Sequence, residues 1–408
     1  MVTIRQELPR DSLPDPGAEL DRQLDNAGID DRFGSGRRIA VAVGSRTIDK
    51  LAEVVSRLVE RLQALQCDVF IVPAMGSHGG ATAEGQAGVL RVLGISEEVT
   101  GAPIESSMEA VSLGTTPSGV EVFVDREAYR ADGIVVVNRV APHTGYWGPV
   151  QSGVVKMIAV GLGNSAGAVS LHRRGFGAGH LLGEMADLAL GKIAPVVAVA
   201  LVEDGAKALS RVEVLKGDDI RRREPALLKL ALSMCPRIPV TSADVLVVDE
   251  MGKNFSGTGM DPLVTGRGKE VPPGQGPPFS AKRLVALGLS AGSGGNATGV
   301  GHADVITERL FRRIDFPITR RNVITSGALF RARVPIVAGS DREAVATALE
   351  SLGGLPADEA RVVRIKNTRH LEELQVSIAV ARELDGVAGI EIGADAAEMS
   401  FDQTGGIE

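Results

Sequence analysis

Arg38-Ile39-Ala40-Val41-Ala42-Val43-Gly44-Ser45-Arg46-Thr47 opens the stretch that decides the fold, and Val69-Phe70-Ile71-Val72 closes it. The unbroken apolar runs Ile39 to Val43 and Val69 to Val72 have the pattern of strands buried on both faces. Between them Leu51, Val54, Val55, Leu58, Val59, Leu62 and Leu65 recur at helical spacing, with Thr47 as a candidate N-cap. Strand, helix and strand in that order form a βαβ unit, whose crossover joins parallel strands. Both strands then end on one edge of one sheet, the first followed by Arg46 and the second by His78. Open α/β sheets bind ligands at that edge, so the convergence marks a candidate site.

The loop after the second strand reads Gly76-Ser77-His78-Gly79-Gly80, ahead of helical spacing from Thr82 to Leu93. Backbone N–H groups exposed before a helix bind anions, which makes Gly76 and Ser77 candidate cofactor contacts. The loop matches neither a P-loop nor G-x-G-x-x-G, so its nucleotide signal is weak. A histidine simply hydrogen-bonded in a turn is the plainer reading of His78 taken alone.

A third apolar run, Ile134-Val135-Val136-Val137, leads into Asn138-Arg139-Val140-Ala141-Pro142-His143-Thr144-Gly145-Tyr146-Trp147. His143 therefore falls just past another strand end. Lys156 sits among Val154, Val155, Met157, Ile158 and Val160, with Gly153, Gly161 and Gly163 flanking the cluster. An ammonium in such company either snorkels or is desolvated, and a desolvated lysine becomes a nucleophile. His172 follows at the reach of a helix and a turn. A core segment carrying two capped histidines and a snorkelling lysine remains the bland alternative.

Length and composition set the class. The 408 residues exceed one ordinary core and imply two domains. Hydrophobic residues at 44% and charged residues at 23% are globular values, whereas aromatics at 3% leave Ala, Val and Leu to fill the cores. A net charge of −7 argues against nucleic-acid binding. Cys67 and Cys235 alone exclude a multi-cysteine metal centre and fit a reducing, cytoplasmic compartment. Met1 to Pro16 lacks a signal-peptide core, and no stretch reads as long and apolar enough to span a membrane.

The expected architecture is α/β in two domains, 1–238 and 239–408. Each would be a largely parallel sheet flanked by helices, with the site in the cleft between them. Residues before Gly36 read as an irregular lead-in, Pro236 to Pro239 as a hinge, and Ala243 to Val248 as the first strand of the second half. Phe255 to Gly276, rich in Gly and Pro, reads as a long loop, functional or mobile, holding Arg267 with Lys253 just ahead of it; a solvated surface loop is the plainer alternative. Ala303 to Arg313 reads as a helix, with His302 at its start as a capping or surface residue rather than a ligand.

The loop histidine His143, the Gly-rich aromatic turn, Lys156 before its glycine-containing apolar run, His172 and the earlier Gly76-Ser77-His78 loop together resemble the nickel-dependent lactate racemase family. The resemblance implies a nickel-pincer nucleotide (a pyridinium-3-thioamide-5-thiocarboxylic acid mononucleotide) bound covalently to Lys156, with Ni on His172. It further implies that His78 and His143 exchange the hydroxyl proton of a 2-hydroxy acid and that Arg46 grips its carboxylate. It covers the first half of the chain well and the second half loosely.

This sequence departs from the family pattern at Gly44, where an aspartate is usual, and at Thr47, where a proline is usual. The loop from His143 to Lys156 is also longer, running through Trp147-Gly148-Pro149-Val150-Gln151. Trp147, Lys253 and Arg267 are positional candidates for substrate contact, and the departures favour a 2-hydroxy acid larger than lactate. Implied partners are that substrate and the proteins that build the cofactor, and a homo-oligomer stays open. The competing reading from another class is a cofactor-free α/β protein that binds a small anion at its Gly-rich strand ends.

Overall fold

Ile39 to Val43 are buried on both faces, as their continuous apolar sequence requires. They lie at the heart of a computed structural model that describes residues 1–268, 279–356 and 358–408, without the side chains of Phe176, Gly177 and Thr325. The chain divides into two units, one of Pro9–Cys235 and one of Met1–Leu8 with Pro236–Glu408.

The lead-in is more ordered than its prolines suggest. It holds strand β1 (Val2–Gln6), helix α1 (Pro16–Ala27) and the single turn α2 (Ile29–Arg32). Asp15 caps α1 by accepting the Ala18 N–H at 2.9 Å, Pro16 occupies the first turn, and Gly28 ends the helix at φ +59°. Those prolines and aspartates are start signals, which their density disguises as loop.

In the Pro9–Cys235 unit, β2 (Arg38–Val43) runs through α3 (Leu51–Ala64) to β3 (Asp68–Pro73). Lys50, not Thr47, precedes α3, in the left-handed conformation at φ 53°. Next come α4 (Ala83–Val92), α5 (Glu97–Thr100), the β4 (Ala110–Thr115) and β5 (Glu121–Asp125) ribbon, α6 (Arg126–Arg130) and β6 (Gly133–Arg139). The remaining elements are α7 (Val154–Ala159), α8 (Asn164–His172), α9 (Leu182–Leu190), β7 (Val196–Glu203), β8 (Leu209–Lys216) and α10 (Asp219–Met234).

The sheet order is β3-β2-β6-β7-β8, parallel except for β8. Leu20, Leu24, Val54 and Leu58 of α1 and α3 cover one face. Val155, Leu182 and Leu228 of α7, α9 and α10, with Val122 of the ribbon, cover the other. From β2 the chain steps outward to β3 and then returns to β6 on the opposite side. The carboxyl ends of β2 and β6 therefore flank the switch point where such sheets bind ligands.

One sequence reading needs correction here. Val154–His172 forms a 19-residue run apolar enough, by composition, to cross a membrane. It is instead α7 and α8 joined by the turn Gly161–Gly163, and most of it is buried in the protein.

The second unit is an eight-stranded sheet ordered β12-β11-β10-β9-β13-β14-β1-β15. Its strands are β9 (Ser242–Met251), β10 (Ser280–Leu289), β11 (Val305–Thr307), β12 (Ile336–Ala338), β13 (Val362–Ile365), β14 (Glu373–Val376) and β15 (Ile390–Ala396). The pairs from β12 to β9 and β9 with β13 are parallel, and β14, β1 and β15 add antiparallel ladders. Residues 1–8 thus belong with this sheet and not with the residues that follow them. Where a helix was read over Ala303 to Arg313, β11 precedes a short helix, Glu308–Arg312, and His302 is buried. The Phe255 loop contains a helical turn at Pro262–Thr265, and its residues 269–276 lie outside the described residues.

Candidate active site

Three strand ends deliver the polar residues. β2 leads into Gly44, Ser45 and Arg46, β3 into Gly76, Ser77 and His78, and β6 through Asn138 and Arg139 to His143. The first two loops meet directly, because Ser45 Oγ and His78 Nδ1 lie 2.5 Å apart. Ser45 is a residue that the sequence reading missed, and only its place beside Arg46 pointed to it.

The His78 loop is seated on the lysine-bearing segment. Gly76 donates its N–H to the Gly161 carbonyl at 3.2 Å, and the His78 N–H goes to Met75 O at 3.2 Å. Two donors of the proposed anion cradle are therefore spent inside the protein. Buried Gln86 holds the loop from α4, donating to Gly76 O at 2.8 Å. A Cβ on Gly76 would stand 3.3 Å from that of Ala168, so the loop lies close against α8.

The β6 loop closes on itself. Ala141 and Ser152 pair through two backbone hydrogen bonds of 2.8 and 3.1 Å. Buried Gln151 accepts the His143 N–H at 2.8 Å, and the Gly145 and Tyr146 N–H groups both donate to His143 Nδ1 at 3.0 Å. Tyr146 stacks on the His143 ring at 4.6 Å between centroids, and the Lys156 ammonium sits 4.5 Å from the Tyr146 ring centroid. Burial raises the Tyr146 pKa, which keeps the phenol neutral. Trp147 lies in the same loop, its backbone carbonyl 2.9 Å from where a Cβ on Gly179 would be.

Lys156 stands in the first turns of α7, among buried Val154, Val155, Met157 and Ile158. Its side chain keeps some surface exposed, yet loss of water at the ammonium lowers its pKa to about 7, and the Arg46 charge adds to the effect. The buried apolar neighbours of Lys156 favour the desolvated reading over the snorkelling one. The pKa of His172 is also lowered, by desolvation first and then by the Lys156 charge, which favours a neutral imidazole. Arg46 has an exposed side chain among crowded neighbours, and desolvation, then Arg139, depress its pKa. A guanidinium starts so high that it stays charged.

Two further residues went unread in the sequence. Asn138 Nδ2 donates to Gly153 O at 2.8 Å and ties the end of β6 to the start of α7. Glu224, fully buried on α10, accepts the Val155 N–H at 2.7 Å, and burial raises its pKa to about 7. A Cβ on Gly153 would lie 2.3 Å from Glu224 Oε1, so the glycine is what lets this carboxyl reach the helix. No motif could have announced a partner 71 residues after Gly153; only Glu among the apolar spacing of α10 was visible.

The departure at Gly44 does not open space for a larger substrate, and Gly79 is filled in the same way. A Cβ on Gly44 would stand 3.1 Å from both Asn138 Oδ1 and Met157 Cε, and one on Gly79 would stand 2.5 Å from Gln86 N. Both exist for close packing. Lys253 and Arg267 lie in the other unit and are engaged there. Lys253 Nζ donates to Gly257 O at 2.6 Å, while Arg267 pairs with Asp304 at 2.6 Å and donates to Lys282 O at 2.9 Å.

This geometry is matched by sequence kinship. Residues 14–178, which carry every element from α1 to the segment after His172, match the lactate racemase N-terminal domain. Over that segment, less than half of its length, the chain is similar to the lactate racemase family. The fold extends further: the lactate racemase apoprotein from Thermoanaerobacterium thermosaccharolyticum superposes with a TM-score of 0.52 at 13% identity, over 89% of this chain and 94% of that one. A structural-genomics crystal structure of a Thermotoga maritima protein matches at a TM-score of 0.50 and 16% identity, over 69% and 72% of the two chains. At such identities the likeness is one of fold. No curated protein matches the sequence.

Proposed function

We propose that this lactate-racemase homologue is a nickel-pincer nucleotide-dependent racemase or epimerase of a 2-hydroxy acid. One observation carries the reading: Arg46, His78 and His143 leave three strand ends of one sheet, and Lys156 stands among them with a desolvated amine. The residues fit the cofactor in kind. Lys156 would hold its organic part, and His172, neutral beside that lysine, would offer one nitrogen to nickel, which imidazole suits. Among the described residues no group of three His, Cys, Asp or Glu could hold a metal by itself. A cofactor that brings its own donors suits a single histidine.

An α-hydrogen beside a carboxylate is barely acidic, so inversion by proton abstraction is hard. When bound, the pyridinium supplies a hydride acceptor that avoids the carbanion. What remains for the chain is to grip the carboxylate, move the hydroxyl proton and hold the substrate in line. Arg46 has the fork geometry for a carboxylate. His78 has a ring nitrogen whose neighbour is braced by Ser45. The longer Trp147 loop supports a substrate larger than lactate.

The test is to co-express the chain with cofactor-building proteins and incubate it with single enantiomers of lactate and larger 2-hydroxy acids, each followed by chiral separation. Interconversion by the wild type that is lost in Lys156→Ala supports the proposal. Equal interconversion in both proteins, or none on any acid by demonstrably loaded wild type, overturns it.

A further inference from the structure

The two site histidines are held by chemically different partners. His78 Nδ1 faces a serine hydroxyl, which can donate or accept as its proton rotates. Either tautomer of His78 is then satisfied, and its Nε2 can carry a proton or a lone pair. His143 Nδ1 faces two backbone N–H groups, from Gly145 and Tyr146, and these can only donate. A proton on that nitrogen would point at two others and forfeit both hydrogen bonds.

The turn that imposes this is itself fixed. Gln151 accepts the His143 N–H, the Ala141–Ser152 bridge closes the loop behind it, and Tyr146 stacks on the ring. We propose that His143 is locked in the neutral Nε2–H tautomer as a hydrogen-bond donor, with Gln151 as its positioning residue, so that proton exchange at the site belongs to His78. For a substrate hydroxyl the step balances simply. The hydroxyl proton moves to His78 Nε2, the Nδ1 proton is held by Ser45 Oγ, and the imidazolium returns its proton on the way back. His143 meanwhile donates Nε2–H to a substrate oxygen and changes no covalent bond. This assignment of roles rests on the proposed function, but the locked tautomer does not.

The experiment reads the tautomer directly. The full chain has six histidines, so uniform ring 15N labelling with long-range proton–nitrogen correlation resolves them, and His143→Gln assigns the signal. The expected result at neutral pH is a protonated Nε2 and an unprotonated Nδ1 for His143. In Gln151→Ala, with unchanged circular dichroism, that single pattern should give way to a tautomer mixture. A protonated Nδ1 in the wild type overturns the proposal, and an unaltered pattern in Gln151→Ala overturns the role of Gln151. Because the measurement needs neither cofactor nor turnover, a failure of the racemase reading leaves it intact, and the reverse holds too.

Discussion

At the scale of single residues, Lys156 and His172 make the sharpest claims. An ordinary lysine holds its proton to about pH 10.4, whereas desolvation brings Lys156 to about 7. Its neutral, nucleophilic fraction should therefore rise through neutrality and level off by about pH 8, while other lysines continue to gain reactivity. Labelling with an amine-reactive reagent across pH, read by peptide mass, checks this; a Lys156 profile that follows the others contradicts it. The linkage has a definite sign. Because the folded pKa lies below the unfolded one, the unfolded state binds more protons between about pH 7 and 10.4, and this group makes stability rise with pH there. For His172→Ala the expectation is a lowered nickel-to-protein ratio with the organic part still attached, and an unchanged ratio would remove His172 from the metal. His78→Gln should keep the loading and lose about two to four decades of turnover, the usual worth of an acid–base group. Near wild-type turnover would contradict its role.

At the scale of elements, the helix that carries Lys156 depends on partners distant in sequence. Glu224 caps the start of α7 beneath Gly153, and Asn138 ties the same point to β6. Glu224→Ala should cost about 1–3 kcal/mol for the unsatisfied N–H groups it leaves, read as a lowered denaturation midpoint. Burial raises its folded pKa above the ordinary value of 4.5 to about 7. Its contribution to stability is therefore complete below about pH 4.5 and lost as pH rises through 7. Glu224→Gln should abolish that slope, and a slope that persists in the variant would assign it elsewhere. The sequence made β2, β3 and β6 legible because runs such as Ile39 to Val43 have no other use than a doubly buried strand. It also placed Arg46, His78 and His143 at strand ends. It hid Ser45, Asn138, Gln151 and Glu224, since each acts through a single hydrogen bond to a residue that no spacing rule connects to it. Gly44 misled for the same reason: an absent side chain reads as open space until the neighbour that fills it is seen.

At the scale of the whole molecule, the chain crosses between units early. β1 lies between β14 and β15 and buries Val2 and Ile4 there, though α1 a few residues later belongs to the other unit. Such pairing between chain ends is invisible to local periodicity, which is why the lead-in looked irregular. Deleting residues 1–8 exposes two ladders and removes the buried side chains of Val2, Ile4 and Leu8, worth about 1.5–3 kcal/mol each. Calorimetry should show the loss in the unit containing Pro236–Glu408, with the Lys156 labelling profile unmoved; a changed profile would contradict the division. The central claim is that Lys156 carries a nickel-pincer nucleotide, and intact mass with nickel content after co-expression with cofactor-building proteins tests it most directly. The account predicts a mass increment that maps to the Lys156 peptide, with nickel near one per chain, both absent in Lys156→Ala. An unmodified wild-type mass from a host in which a control lactate racemase is loaded, or an increment that survives in Lys156→Ala, would contradict it.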